Sequence, residues 1–544
     1  MEKRKILSSK TFLYLTEFFS GMSVMAVELG ANRLLAPYFS SSQIVWTIII
    51  GTIMIAMALG NVFGGRSADK NPDPDRLYRR ILIAAIWIAA IPIFGKYVIL
   101  GISALMVITV STNLLIWAAL FSCLVIFVFP LFLLGTVTPS LIRFSVDSLE
   151  TSGSIAGKLG AANTIGSIIG TFLPTFVTIP AVGTSVTFLI FSGVLLVLCI
   201  LYFASGKHPN PAKVAAIAAV FALLCVFGHN SSFAFWEKDL TYEGESVYNY
   251  LQVKEDEQTV TLSTNVLFGV QSVYEKSSRL TGMYYDYAMA APLMACGTAP
   301  GRGRTADILI LGNGTGTYAT QCERYFEGMN IEGVEIDGKI MDLATKYFDE
   351  PEDVKVTEYD GRAYLNAVDK KYDVIMVDAY RDITIPFQMS TAEFFSEVRD
   401  HLNDGGVMVV NMSMRSEAAD GTGEKSSDDI NAFLADTISR VFRQVYTVDV
   451  PGTTNRELFA SNRTGDETLP LALSSSLPSV SRDDLQDLMK NVAQNLVPYT
   501  AGRHIMTDDK APVEMLGIRQ IDSIIQEEAG YYREQIKSGN FSLE

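Results

Sequence analysis

The chain has 544 residues, 49% of them hydrophobic, and a formal net charge of −16. Such averages suit a large acidic soluble protein of two or three domains, but the mean hydropathy of +0.24 argues against that reading. Residues 1–230 hold 15 Lys and Arg against 8 Asp and Glu, whereas the remainder holds 28 against 51. So acidic a second part excludes nucleic-acid binding by phosphate neutralisation. The pattern predicts two domains: residues 1–235, a polytopic all-α membrane domain, and residues 236–544, an acidic water-soluble domain.

The basic start, MEKRKILSSK, precedes an apolar run that contains Glu17 and Glu28 and is followed by further runs, which suits a first membrane anchor better than a cleaved leader. Runs of the length needed to cross a bilayer fall near Phe12–Leu35, Ile44–Phe63, Ile81–Phe94, Leu114–Leu134, Ile155–Ile179, Thr184–Phe203 and Ala212–Phe227, with an ambiguous stretch at Tyr97–Val110. Seven or eight spans are expected. Small residues such as Gly60, Gly166 and Gly170 suit close helix packing in lipid. Lys3, Arg4, Lys5, Lys10, Arg66, Lys70 and Arg76 put the N-terminus and the second loop on the cytoplasmic side. Seven spans then leave the acidic domain outside; eight spans, or a last run that does not cross, leave it in the cytoplasm. Glu28 and Arg33 within the first span are candidates for a functional role at membrane depth.

Beyond Trp236 the pattern changes. Alternating segments at Tyr248–Val253, Val260–Leu262 and Val266–Val270 predict a small β-hairpin region. A strand at Ile308–Leu311 then runs into Gly312-Asn313-Gly314-Thr315-Gly316 and a helix. A second strand ends in Glu335-Ile336-Asp337, a third element gives Asp360-Gly361, a fourth strand at Tyr372–Val377 ends in Asp378, and a helix (Thr391–Leu402) and strand (Gly406–Val410) follow. This alternation predicts a doubly wound α/β sheet with its ligand at the carboxyl ends of the strands. Glycines between strand and helix, with an acid ending the next strand, specify a nucleoside cofactor. Position 317 is Thr, so the spacing is GxGxG, which suits a cofactor without phosphates such as S-adenosylmethionine (AdoMet) or a derivative. The five cysteines and four histidines show no metal-ligand spacing, so no metal is expected. Leu469–Ser481 reads as a Ser/Pro/Leu linker, Ser481–Val497 and Gln520–Lys537 as amphipathic helices, and Ser413–Asp428 as a polar loop. Thr507-Asp508-Asp509 receives no role beyond a helix cap or acidic rim.

The motifs ESVYNYLQV, GVQSVY, YYDYAMAAPL, LGNGTGTYA, VEID, YDGRAYL, YDVIMVDAYRDITIP and TDDKAPVE resemble the spermidine synthase (polyamine aminopropyltransferase) family. ELGANRLLAPYF, WTIIIGTIMIAMALGNVFGG and GAANTIGSIIGTFLPTFVTIPAVGT resemble its membrane-fused branch. The resemblance implies a class I methyltransferase fold and transfer of an aminopropyl group from decarboxylated AdoMet to a diamine such as putrescine, releasing methylthioadenosine. It implies a donor site formed by Gln271, Gly312, Gly314, Thr315, Gly316, Glu335, Asp337, Asp360 and Gly361, with Glu335 on the ribose hydroxyls and Asp360 on the adenine amino group. Asp378 would orient and deprotonate the attacking amine, and Tyr248, Tyr285, Asp286, Arg381 and Asp382 would surround it.

Departures fall on the amine side. Thr315 replaces the Asp that holds the donor's ammonium, Arg381 replaces the second Asp of the DSSD-type motif, and Tyr284-Tyr285-Asp286 replaces Tyr-His-Glu. Two alternatives therefore stay open: an AdoMet-dependent methyl- or aminocarboxypropyltransferase, and a transporter with a fused nucleoside-binding domain. Expected partners are a small amine, the lipid bilayer and a second copy in a homodimer. Because the donor is cytosolic, the soluble domain of this multi-pass protein is expected in the cytoplasm.

Overall fold

A computed structural model describes all residues except 1–8, 41, 111, 147–148, 206–210, 230–231, 238–239, 267–268, 278, 297–304, 381–384, 414–428 and 539–544. The chain forms two compact units. Residues 243–250 and 265–267 belong with the helical first unit, and the second runs from residue 268 to the end with residues 239–242 and 251–264.

The first unit is a bundle of α1 (Lys10–Phe39), α2 (Gln43–Lys70), α3 (Pro74–Thr109), α4 (Leu114–Gly135), α5 (Val137–Ser145), α6 (Leu149–Leu173), a π turn (Pro174–Thr178), α7 (Ile179–Ala204) and α8 (Pro211–Gly228). Ser42 caps α2 by accepting from the Val45 N–H, and Asp73 followed by Pro74 starts α3. Glycines set the packing. A Cβ at Gly135 would lie 2.8 Å from the Met57 carbonyl, and Gly60, Gly166 and Gly170 lie even closer to the backbones of Phe132, Phe18 and Met22. Any side chain there would push α2 from α4, or α1 from α6.

Six helices are long and apolar enough to cross a membrane, the fifth being Ser152–Ala204 with 53 residues. That helix is two segments, because Gly183, at φ 79° and ψ 169°, leaves the helical path. The packing shows a reversal there. Gly166 meets Phe18 and Gly170 meets Met22, so α6 runs parallel to α1, whereas Phe188 meets Gly30 and the Phe191 carbonyl accepts from Ser23, so α7 runs antiparallel. Likewise Gly193 meets Phe221 and Gly228 meets Leu189, so α8 runs antiparallel to α7 from end to end. The bundle thus has seven long segments, with the direction reversing at Gly183, among the described residues. The ambiguous stretch at Tyr97–Val110 continues α3 and forms no separate helix. Lys10, Arg66, Lys70, Arg76, Arg79, Arg80, Arg143, Lys158 and Lys213 all lie toward one end, and the chain leaves α8 at the other.

Arg33 donates to the Val247 carbonyl, and Glu28 is only half-buried. The fully buried acid of the bundle is instead Glu17, which accepts from Thr138 Oγ1 at 2.5 Å and Asn163 Nδ2 at 2.9 Å.

The expected hairpin region is a four-stranded sheet in the order β1 (Leu240–Glu245), β2 (Tyr250–Glu255), β3 (Thr259–Ser263), β4 (Ser272–Glu275). The expected Tyr248–Val253 and Val260–Leu262 fall on β2 and β3; of the expected Val266–Val270, residues 267–268 lie outside the described residues and Val266, Gly269 and Val270 are not in a strand. Next come α9 (Tyr284–Ala288) and α10 (Ala290–Cys296), then β5 (Ala306–Leu311), α11 (Thr317–Tyr325), β6 (Met329–Glu335), α12 (Gly338–Tyr347), β7 (Lys355–Glu358), α13 (Gly361–Ala367), β8 (Tyr372–Val377), α14 (Ala392–Asp400) and β9 (Leu402–Met412). The chain closes with α15 (Ile430–Val441), β10 (Gln444–Asp449), β11 (Arg456–Ser461), α16 (Leu469–Ser476), α17 (Asp483–Asn495), β12 (Val497–Pro498) and α18 (Val513–Ser538).

The large sheet has the order β12-β10-β11-β9-β8-β5-β6-β7. Strands β5 to β9 are mutually parallel, and β10, β11 and β12 are antiparallel. All six residues of β8 are buried, as a strand covered on both faces requires. The chain winds outward from β5 through β6 to β7 and then crosses to β8, so the switch point lies between β5 and β8, where open α/β sheets bind ligands. The expected linker at Leu469–Ser481 is core structure: Leu469, Ala472 and Leu473 of α16 are fully buried.

Candidate functional site

At the switch point, β5 runs into the glycine turn. Gly312 has φ +88°, and a Cβ there would lie 2.6 Å from the Asp378 carbonyl, so only glycine lets this turn press against the end of β8. The Asp378 N–H donates to the Leu311 carbonyl at 2.9 Å, joining the two strand ends. Gly314 and Gly316 also have positive φ, and Gly316 opens α11.

Glu335 ends β6 beneath this turn. Its carboxylate accepts from the Gly314 N–H at 2.8 Å and the Asp337 N–H at 3.0 Å. Burial is the main cause that pushes its pKa up to about 7, against the lowering effect of those bonds. Asp337 caps α12 through the Lys339 N–H, and Asp360 caps α13 through the Ala363 N–H at 2.9 Å. Gly361 follows, with Met389 Cε 3.2 Å from where a Cβ would lie. Asn313 Nδ2 donates to Glu350 Oε1 at 2.8 Å. Thr315 is 1% exposed and its hydroxyl has no partner. A buried donor left open toward the glycine turn fits a polar ligand group there.

Asp378 sits between two donors. Tyr284 Oη donates to Oδ2 at 2.6 Å and Asn411 Nδ2 to Oδ1 at 3.0 Å. Burial raises its pKa to about 7, and the two hydrogen bonds oppose that rise. Asn455 Nδ2 holds Asn411 Oδ1 at 2.9 Å, so the amide's orientation is set from behind. Tyr284 lies against Tyr285 with ring centroids 3.9 Å apart, and Tyr285 Oη donates to the Gln271 carbonyl at 2.5 Å. Gln271 is thereby joined to Asp378 through the tyrosine pair.

The second unit thus brings together Gln271, the glycine turn with Thr315, Glu335, Asp337, Asp360, Gly361, Tyr285 and Asp378. Asp286 is turned to internal use: it is buried and accepts from Gln321 Nε2 at 2.8 Å and the Gly282 N–H at 2.7 Å. Tyr248 belongs to the first unit, and Arg381 and Asp382 lie outside the described residues. Sequence reasoning missed Tyr284 as a direct partner of Asp378, and Asn411, Asn455 and Glu457 altogether. The one signal for Asn411 was a polar residue closing the apolar run Val407–Val410, and Glu457, next to Arg456, gave none. Asp508, left without a role, forms a two-pronged pair with Arg362 at 2.7 and 2.9 Å, and Arg362 also meets Glu397. This ties the segment before α18 to α13 and α14.

Residues 288–422 match the family model of the spermine/spermidine synthase domain. A probable polyamine aminopropyl transferase of Bifidobacterium longum is 52% identical over 357 residues, covering 63% of this chain and 76% of its own. A polyamine aminopropyltransferase of Vibrio vulnificus is 25% identical over 295 residues, covering 53% of this chain and 88% of its own. Among solved structures, a probable spermidine synthase from Corynebacterium glutamicum aligns with a TM-score of 0.36 at 18% identity, over 49% of this chain and 97% of its own.

Proposed function

Since the chain belongs to the polyamine aminopropyltransferase family, we propose that its second unit transfers an aminopropyl group from decarboxylated AdoMet to a diamine such as putrescine. The observation that carries this reading is Asp378, held by Tyr284 and Asn411 and joined to the glycine turn through Leu311. The attacking amine arrives as an ammonium. Asp378, with a pKa near 7, holds it and takes one proton. The freed nitrogen pair then forms the new N–C bond at the methylene carbon on sulfur. The C–S bond breaks with its electrons going to the sulfonium, which leaves as the thioether of methylthioadenosine. The product amine keeps its remaining protons as an ammonium, and Asp378 releases its proton to solvent.

On the donor side, Glu335 is the acceptor for the ribose hydroxyls and Asp360 for the adenine amino group, and Thr315 offers its hydroxyl to the donor's tail. A neutral Thr315 in place of an acid also favours a second reading, in which intact AdoMet is the donor. One experiment separates them. Full-length protein in detergent is given putrescine with decarboxylated AdoMet or with AdoMet, and the nucleoside product is identified by chromatography. Methylthioadenosine from the decarboxylated donor supports the first reading. Turnover of AdoMet alone overturns it.

The bundle anchors the enzyme as a multi-pass membrane protein. Its orientation follows from charge: the basic end faces the cytoplasm, and an odd number of crossings carries the second unit to the opposite side. The cytosolic location of the donor argues for the opposite, cytoplasmic placement, and labelling separates the two. An impermeant thiol reagent should label Asp466→Cys, an exposed position, in intact cells and leave the parent protein unlabelled. Labelling only after lysis would restore the cytoplasmic placement.

A further inference from the structure

Three neighbouring strands present polar side chains in one row. The parallel register Val377↔Val410 brings Asp378, just past β8, beside Asn411 of β9, and the antiparallel register Asn411↔Glu457 continues the row to β11. Directly paired residues project to the same face, and α9, which carries Tyr284, packs against β9 and β11. Glu457 is 0% exposed, and neither of its carboxyl oxygens has a hydrogen-bond partner.

A carboxyl group buried without a donor is costly, and natural proteins rarely leave one so. Asp378 already receives one donor on each oxygen. An ammonium brings three N–H donors, more than Asp378 alone can take in this arrangement. The position where the related motif carries its second acid is Arg381, so the chain lacks that acid where the pattern expects it. Glu457 is an acid in the same row, on another strand.

We propose that Glu457 is the second acidic group of the amine subsite, accepting from the ammonium that Asp378 holds and setting the site's preference for a cationic amine. This rests on the aminopropyltransferase reading above. With the amine bound, its positive charge lies between two carboxyl groups that otherwise oppose each other's ionisation.

The test compares wild-type protein with Glu457→Gln and Glu457→Met in steady-state turnover of decarboxylated AdoMet with putrescine. Methylthioadenosine affinity serves as the check on folding and on the donor site. Both substitutions remove a buried unpaired acid, so the fold should survive them. The expected result is a rise of tenfold or more in the KM for putrescine, with kcat changed less than threefold and the Kd for methylthioadenosine unchanged. A putrescine KM within twofold of wild type in either folded variant overturns the role of Glu457 and leaves the activity standing. Loss of methylthioadenosine binding in both variants also overturns it, because Glu457 would then be structural. Wild-type protein that turns over decarboxylated AdoMet with no diamine overturns the activity and this inference together.

Discussion

Replacing Asp378 by Asn tests the central group in two opposite ways. Removing a general base at this position should lower kcat by about 10²–10⁴, a barrier increase of about 3–5 kcal/mol. Stability should move the other way. The carboxyl titrates near 7 in the folded protein against a model value of 3.8, so the folded state holds the proton more tightly than the unfolded one. Stability therefore falls as pH rises from about 4 to about 7, and the whole loss is present above 7. The difference of about 3 units corresponds to about 4 kcal/mol, a ceiling because Asp378 keeps some solvent contact. Asn mismatches one of the two donors now held, which costs about 1 kcal/mol. At pH 9 the variant should be more stable by up to about 3 kcal/mol, a Tm increase on the order of 5–10 °C for a unit of this size. At pH 5 the advantage should shrink to below about 1 kcal/mol. Calorimetry of the full chain in detergent reads this, with the relevant transition identified by its shift on adding methylthioadenosine. Wild-type kcat/KM should rise with unit slope up to pH near 7, and the variant should lose that limb. A variant within tenfold of wild-type kcat, or one less stable at pH 9, refutes the reasoning.

Gly312→Ala sets a Cβ against the Asp378 carbonyl at a positive φ and should cost about 1–3 kcal/mol, seen as a lower Tm together with weaker methylthioadenosine binding. Glu335 ionises near pH 7, so methylthioadenosine affinity should rise between pH 6 and pH 8 as the stronger, charged acceptor forms; by isothermal titration, Glu335→Gln should bind about tenfold more weakly and without that pH dependence. Arg362→Ala breaks the forked pairs to Asp508 and Glu397 and should cost about 1–3 kcal/mol. A double-mutant cycle with Asp508→Ala should return a coupling near 1 kcal/mol, because Asp508 is partly exposed.

What could be read from the sequence depended on whether its signal was local. Tyr372–Val377 is a strand with the expected bounds, because an apolar run ending in an acid needs no distant partner to be recognised. The same holds for the Gly312–Gly316 turn and the acid that ends β6. Leu469–Ser476 was misread because Pro, Leu and Ser suggest a linker by composition, while its helix exists to bury Leu469 and Leu473 in the core. Tyr97–Val110 looked separate because Gly95 and Lys96 interrupt the run, yet both are buried within α3. Lys96 donates to the Ser232 carbonyl at 2.9 Å, a partner that only the folded bundle supplies. Glu17 was read only as a charge in the first run, since the two donors that hold it come from helices far along the chain.

The same distinction divides the site itself. The donor half is built almost entirely from one continuous stretch, the ends of β5, β6 and β7 with the turns that follow them. Each part is locked to the next by backbone bonds such as those from Gly312 and Asn313 to the Val334 carbonyl. A substitution there disturbs its neighbours at once, as the Gly312 Cβ clash shows. The proposed amine half would be assembled from β8, β9, β11 and α9: Tyr284 and Asn411 meet Asp378, Asn455 meets Asn411, and Glu457 pairs with Asn411 in the strand register. If Glu457 acts as proposed, an acid missing from the loop after β8 is supplied from β11 without any change to the backbone of either strand. Acceptor preference could then change while nucleoside binding persists, which fits departures at Thr315, on the donor's amine tail, and at Arg381, with the residues expected to bind ribose and adenine, Glu335 and Asp360, unaltered.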